Sequence, residues 1–248
     1  MSQSREQSVK GTITSHLEDP KPVLSSRVQA LFPPGAVAAE FRGTGSESWL
    51  HPDEAGAVKN AVPKRVREFA AGRACARRAL HELGIDDYVI RVAPDRQPLW
   101  PDCVAGSITH TTGLCAAVVA PRQLLPGLGV DCEVVGKVSR DLWPTICGTE
   151  EAAWCAALPA AERHAAVALI FSAKEAFYKC QYPLTAEWLD FHDIRVEALD
   201  WGGEGGRFAV HCARPLAIEA YAPLPIGRYT FNDGFITAGV ALTSRTSA

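Results

Sequence analysis

Asp131 and Glu133 stand two apart in the segment Gly129-Val130-Asp131-Cys132-Glu133. In a β-strand that spacing puts both carboxylates on one face. Two neighbouring carboxylates repel each other, and burying them without a partner costs several kcal/mol or more. A hard cation removes both penalties, and an all-oxygen donor set favours Mg²⁺ over zinc. The competing reading is a strand end with a solvated acidic face.

A second candidate is Phe171-Ser172-Ala173-Lys174-Glu175-Ala176-Phe177-Tyr178-Lys179. Glu175 and Lys179 are four apart, so on a helix they share a face, as any surface ion pair would. Val167, Ile170, Phe171, Phe177 and Tyr178 nearly ring that helix, which argues that it is largely buried. Buried charges are paired or bound to a ligand. Glu175 is thus a candidate third carboxylate for the metal, and Lys174 and Lys179 are candidates to meet phosphate oxygens.

Two more segments offer anion chemistry. Lys64, Arg65, Arg67, Arg73, Arg77 and Arg78 crowd one helical stretch. They read as a solvated basic face or as phosphate capture, for which the arginine fork is suited. Ser107-Ile108-Thr109-His110-Thr111-Thr112-Gly113 is a polar run between apolar strands, where a histidine serves either structure or a ligand. Gly202–Gly206 (GGEGG) lacks the GK[ST] of a phosphate-binding loop and reads as a hairpin loop.

The elements needed to carry these residues are legible. Pro52, Asp53 and Glu54 mark a helix start, where the dipole favours acids. A second helix begins near Pro63, with Val66, Phe69, Ala76, Leu80 and Leu83 at helical steps and Gly84 as its stop. Residues 88–92, 104–110, 114–120 and 128–135 read as strands, with a turn-rich loop at 93–102 and a connector bracketed by Pro121 and Pro126. Thr149 reads as an N-cap, and residues 160–182 as a long helix that Pro183 stops. Strand-like stretches follow at 191–199, 207–213, 227–232 and 235–243, the last two joined by a turn at Asn232-Asp233-Gly234. Helix plus strands recurs in each half, which predicts an α+β fold. The division is a loose tail over 1–25, a first half over 26–124 and a second over 125–248.

Composition excludes several classes. The 248 residues are 47% hydrophobic and 21% charged, which suits a globular chain. A net charge of −3 offers no general attraction to nucleic acid, so any anionic ligand must meet a local cluster. No apolar run reaches a membrane span and the first 20 residues lack a secretory h-region, so a cytoplasmic protein is expected. Eight cysteines contain no CxxC, and no two histidines have HxxxH spacing. They read as reduced, small apolar residues.

In order and spacing, KRVREFAAGRACARRAL (64–80), RQPLWP (96–101), GSITHTTG (106–113), GVDCE (129–133) and FSAKEAFYKCQYPLT (171–185) resemble the 4′-phosphopantetheinyl transferases of the surfactin-synthetase and enterobactin-synthetase type. The resemblance implies two similar α+β halves about a pseudo-twofold axis, with the active site in the cleft between them. It implies transfer of the phosphopantetheine arm of coenzyme A to a serine of an apo acyl or peptidyl carrier protein, with Mg²⁺ and release of adenosine 3′,5′-bisphosphate. Asp131, Glu133 and Glu175 match the metal positions, and Glu175 is also the candidate base. Lys174 and Lys179 match phosphate contacts, Lys179 stabilising charge on the pyrophosphate. Arg65, Arg73 and His110 match the grip on the 3′-phosphoadenosine end, with Thr109 and Arg96 beside it and Asp131 also near coenzyme A. Cys132 falls at a variable position, where water often completes the metal shell. Both halves in one chain suggest a monomer. Tyr178, Trp188 and the Leu124–Leu128 connector are candidates for carrier docking. The alternatives are a metal-dependent phosphohydrolase or nuclease using the same carboxylates, and an inert coenzyme A- or carrier-binding module.

Overall fold

A computed structural model describes residues 21–220 and 225–243. The first half builds an antiparallel sheet from β1 (Val23–Leu24), β2 (Val37–Arg42), β3 (Val104–Thr111) and β4 (Leu114–Pro121), in the order β1-β2-β4-β3. Between β1 and β3 lie the short helices α1 (Ser26–Gln29) and α2 (Pro52–Ala55) and the long α3 (Pro63–Glu82). The second half contains β5 (Gly127–Val134), α4 (Trp143–Ile146), α5 (Thr149–Ala157) and the long α6 (Arg163–Thr185). It continues with β6 (Ile194–Ala198), β7 (Gly205–Cys212), β8 (Ile226–Asn232) and β9 (Phe235–Leu242). Its sheet runs β5-β9-β8-β7-β6. Each half is therefore a long helix on an antiparallel sheet, the α+β architecture expected.

β4 is central in its sheet and buried along all but its last residue, which is why it reads as an unbroken apolar run. α3 packs on that sheet through Ala71, Cys75, Ala76, Ala79 and Leu80. α6 buries Leu169 and Phe177 against Ile194, Phe208, Ile236 and Val240 of the other. Full burial of one such side chain stabilises by about 1.5–3 kcal/mol. A third cluster joins Val28, Leu31 and Val118 of the first half to Leu128 and Val130 of β5, so the halves share a core.

Several expectations need correction. Of the tail expected over 1–25, residues 1–20 lie outside the described residues, and the rest is corrected, since Val23 and Leu24 pair with Glu40 and Ala39. β2 had no counterpart in the sequence reading, because its alanines carry little strand preference. Residues 88–92 form no strand, only a bridge between Val92 and Pro98. The stretch expected to be extended over 191–199 opens with a 3₁₀ turn at Phe191–Asp193. α5 is capped by Gly148, whose N–H donates to Glu151, with Thr149 inside the helix. Pro183 does not stop α6, which runs on to Thr185 and ends at Ala186 in the left-handed region. In the last turn a proline forfeits one hydrogen bond, and Ala186 N–H still reaches Tyr182 O.

Candidate functional site

β3 and β5 are the terminal strands of their sheets, and they meet at a seam joined by side chains. Ser107, Thr109 and Thr111 alternate along β3 and are buried. Ser107 Oγ accepts from Val130 N (3.1 Å) and Thr109 Oγ1 from Cys132 N (3.0 Å). Thr109 Oγ1 also bonds Asp131 Oδ1 at 3.1 Å, and Thr111 Oγ1 donates to Glu133 Oε2 at 3.3 Å. Three hydroxyls on one strand face thus satisfy an unpaired strand edge and orient both acids of β5. That alternation was the readable signal for Ser107 and Thr111, which the sequence reading left without a role.

α6 comes against β5 because Gly129 has no side chain. A Cβ there would lie 1.8 Å from the Ala176 carbonyl oxygen. This approach lets Ser172 Oγ donate to Asp131 Oδ2 (2.9 Å) and Lys179 Nζ to Asp131 Oδ1 (2.6 Å) and Val130 O (3.3 Å). Burial would depress the Lys179 ammonium, but the adjoining Asp131 carboxylate outweighs it and raises the pKa. Burial, then repulsion from Asp131, raises the carboxyls of both Glu133 and Glu175. Among the described residues no three His, Cys, Asp or Glu side chains close into a metal-binding group.

A cavity of about 500 Å³ runs between α3, residues 95–100, β3 and the end of α6. It is lined by Arg65, Arg73, Arg96, Thr109, His110 and Lys179, with Phe69, Trp100, Tyr178, Tyr182 and Trp188 supplying apolar wall. Gly106 leaves the space that the Trp100 ring occupies. Arg65 donates to His110 Nε2, and Glu68 lies 3.8 Å from the Nδ1 side. Burial, then the charges of Arg65, Lys179, Lys137 and Lys64, pushes the His110 imidazolium down to about 4, so the ring is neutral at pH 7. Arg73 Nε donates to Ile90 O (2.9 Å) and its guanidinium lies over the Phe69 ring. Arg96 sits at a left-handed turn with φ 73°.

The basic helix therefore divides. Arg65 and Arg73 line the cavity, whereas Arg77 is committed to Glu54 (2.7 and 2.8 Å) and to the Trp49 carbonyl oxygen. Arg67 lies near Glu47 and Arg78 donates to Glu82. Glu54 is almost fully buried, so losing Arg77 would strand its charge at a cost of about 3–5 kcal/mol.

Lys174 is the clear correction. Its ammonium, expected at a phosphate, is buried and donates to Ile146 O (2.8 Å), Phe191 O (2.8 Å) and Glu151 Oε2 (2.7 Å). All three N–H bonds are spent away from the cavity.

The site and fold define an α+β protein whose two halves build one cleft lined by Arg65, Arg73, Arg96 and Lys179. Residues 53–120 match the model of the 4′-phosphopantetheinyl transferase N-terminal domain, and residues 127–219 match that of the 4′-phosphopantetheinyl transferase superfamily. The chain is 31% identical to 4′-phosphopantetheinyl transferase Npt of Nocardia iowensis, covering 86% of this chain and 99% of that protein. It is 33% identical to 4′-phosphopantetheinyl transferase PptT of Mycobacterium tuberculosis, over 77% of this chain and 85% of the relative. Enterobactin synthase component D of Salmonella typhi is 36% identical over 53% of each chain. The chain belongs to the 4′-phosphopantetheinyl transferase superfamily. It is an enzyme that transfers phosphopantetheine from coenzyme A to carrier proteins, so neither hydrolysis nor inert binding describes it.

Proposed function

We propose that Glu175 takes the proton of the carrier serine while Lys179 steadies the pyrophosphate of coenzyme A, in a Mg²⁺-dependent transfer that releases adenosine 3′,5′-bisphosphate. The observation that carries this reading is the junction at Lys179. Its ammonium lines the arginine-rich cavity and bonds Asp131, the acid whose charge is felt by both Glu133 and Glu175. A pyrophosphate reaching down the cavity from Arg65, Arg73 and His110 would meet Lys179 next. Arg96 and Thr109 flank the same route.

Glu175 is suited to the base role because burial and Asp131 raise its proton affinity. The serine oxygen forms a bond to the phosphorus bearing the pantetheine, and the bond from that phosphorus to the bridging oxygen breaks. The leaving oxygen departs on adenosine 3′,5′-bisphosphate, and the serine proton passes to Glu175. Positioning and charge stabilisation are the protein's main tasks in such a transfer.

Asp131, Glu133 and Glu175 would hold the cation, and the fit rests on the donor set. All donors are oxygens, and burial first, then the Asp131 charge, raises the carboxyls of Glu133 and Glu175, a penalty that Lys179 alone does not offset and a cation would relieve. Bound there, Mg²⁺ would neutralise phosphate charge. We also read the enzyme as a cytoplasmic monomer, since both halves belong to one chain; no described helix is long and apolar enough to cross a membrane.

Glu175→Gln tests the assignment. It should keep coenzyme A binding yet lose transfer by about 10²–10⁴-fold, and saturating Mg²⁺ should not restore it because Gln accepts no proton. Recovery to near wild-type turnover at high Mg²⁺ would leave Glu175 a ligand only.

A further inference from the structure

Lys174 precedes Glu175 but serves the opposite side of α6. At about 100° per residue, Ser172, Glu175 and Lys179 fall within about 60° of one another, while Lys174 lies about 160° from Ser172. The front face is tied to Asp131 through Ser172 and Lys179. The rear face is tied through Lys174 to Glu151, whose Oε2 also accepts from Gly148 N (2.7 Å) and whose Oε1 accepts from Val196 N (2.7 Å). One buried ion pair therefore links α6 to the end of α4, the start of α5, the turn at Phe191 and the edge strand β6. Both side chains are 1% exposed.

We propose that the Lys174–Glu151 pair is a positioning device that sets the roll of α6 about its own axis, and with it the place of Glu175 beside Asp131. The inference rests on the assignment of Glu175 as the base. A roll of about 10° moves a carboxylate about 6 Å from the helix axis by about 1 Å. A misplacement of that size can cost about 10²-fold in rate. Apart from Lys179 on α6, the coenzyme A grip lies on α3, β3 and the 95–100 loop, so its affinity should respond far less than the rate.

The test compares Lys174→Met, Glu151→Gln and the double variant, with Glu175→Gln measured in parallel. Each is assayed for melting temperature, coenzyme A KM and kcat for transfer to an apo-carrier protein. Lys174→Met should lower kcat by about 10²-fold with the coenzyme A KM within about threefold of wild type. It also strands the Glu151 carboxylate and loses stability. The double variant removes that stranded charge, and its amide can donate to a carbonyl that Lys174 has left free, but the amide nitrogen then faces one of the two backbone N–H groups, Gly148 or Val196, that the carboxylate accepted from. Its melting temperature should recover in part while kcat stays low. Recovery of kcat along with stability would reduce the pair to a structural role and overturn the inference. A rise in coenzyme A KM at intact kcat would instead put Lys174 on the substrate and overturn it too. If Lys174→Met fails to fold, the isosteric Glu151→Gln carries the test, with a kcat loss expected at unchanged KM. An active Glu175→Gln would overturn the base assignment; an inactive Glu175→Gln beside fully active anchor variants would overturn only the anchor.

Discussion

Gly129→Ala would probe the contact on which the site depends. The added Cβ would sit 1.8 Å from Ala176 O and 2.8 Å from Cys180 N, both backbone atoms of α6. Cβ atoms essentially never approach closer than 3.0 Å, so α6 must retreat from β5 by at least 1.2 Å. No rotamer relieves the clash, because both partners are main chain. Overpacking of this kind costs about 1–3 kcal/mol, and in a chain of this size that lowers the melting temperature by about 2–12 °C. The retreat also pulls Ser172 and Lys179 from Asp131, whose bonds at 2.9 and 2.6 Å cannot survive an added ångström. Transfer should then fall by about 10²-fold, as for a misplacement of about 1 Å. Gly56→Ala is the matched control, since its Cβ would meet nothing within 4 Å. The assay is mass detection of the modified carrier serine alongside thermal melts. Wild-type melting and turnover in Gly129→Ala would show that the packing of α6 on β5 does not set the site.

Arg73→Ala should weaken coenzyme A by about 1.5–3 kcal/mol more than 3′-dephospho-coenzyme A, as measured by calorimetry. Equal losses would restrict Arg73 to its packing on Phe69 and Ile90. His110 is held near 4, below the ordinary 6.5, so the unfolded chain binds the proton more readily between those values. Its contribution to stability is therefore complete above about pH 6.5 and is lost as pH falls toward 4, and His110→Gln should flatten that limb of a melting series. A phosphate dianion beside the ring should raise its proton affinity, so binding coenzyme A near pH 6 should take up a proton, read from calorimetry in buffers of different ionisation enthalpy. Trp188 is 73% exposed at the cavity rim, so Trp188→Ala should raise the carrier KM with little change in melting temperature. An unchanged carrier KM would remove it from the docking surface.

Much of this protein was legible before any fold was known. The two acids of GVDCE share a strand face because a strand has period two, whatever surrounds it. α3 and α6 follow from apolar spacing, and the apolar run of β4 from its central place in the sheet. The joint pattern of GSITH, GVDCE and FSAKEAFYK led to the correct family. What the sequence could not supply is which partner each side chain meets, because those partners lie far away along the chain. Lys179 finds Asp131 across 48 residues, and Arg77 finds Glu54 across 23. Helical periodicity states that Lys174 and Glu175 point about 100° apart. Only the packing of α4, α5 and the Phe191 turn behind α6 decides that Lys174 is a buried strut while Glu175 stays partly exposed within reach of the Asp131 charge. The β3 hydroxyls read only as a polar run for the same reason, since their acceptors and donors exist only once β5 lies alongside. Local geometry depends on neighbours in sequence, whereas a site joins elements distant in the chain, and that joining is the work of tertiary structure.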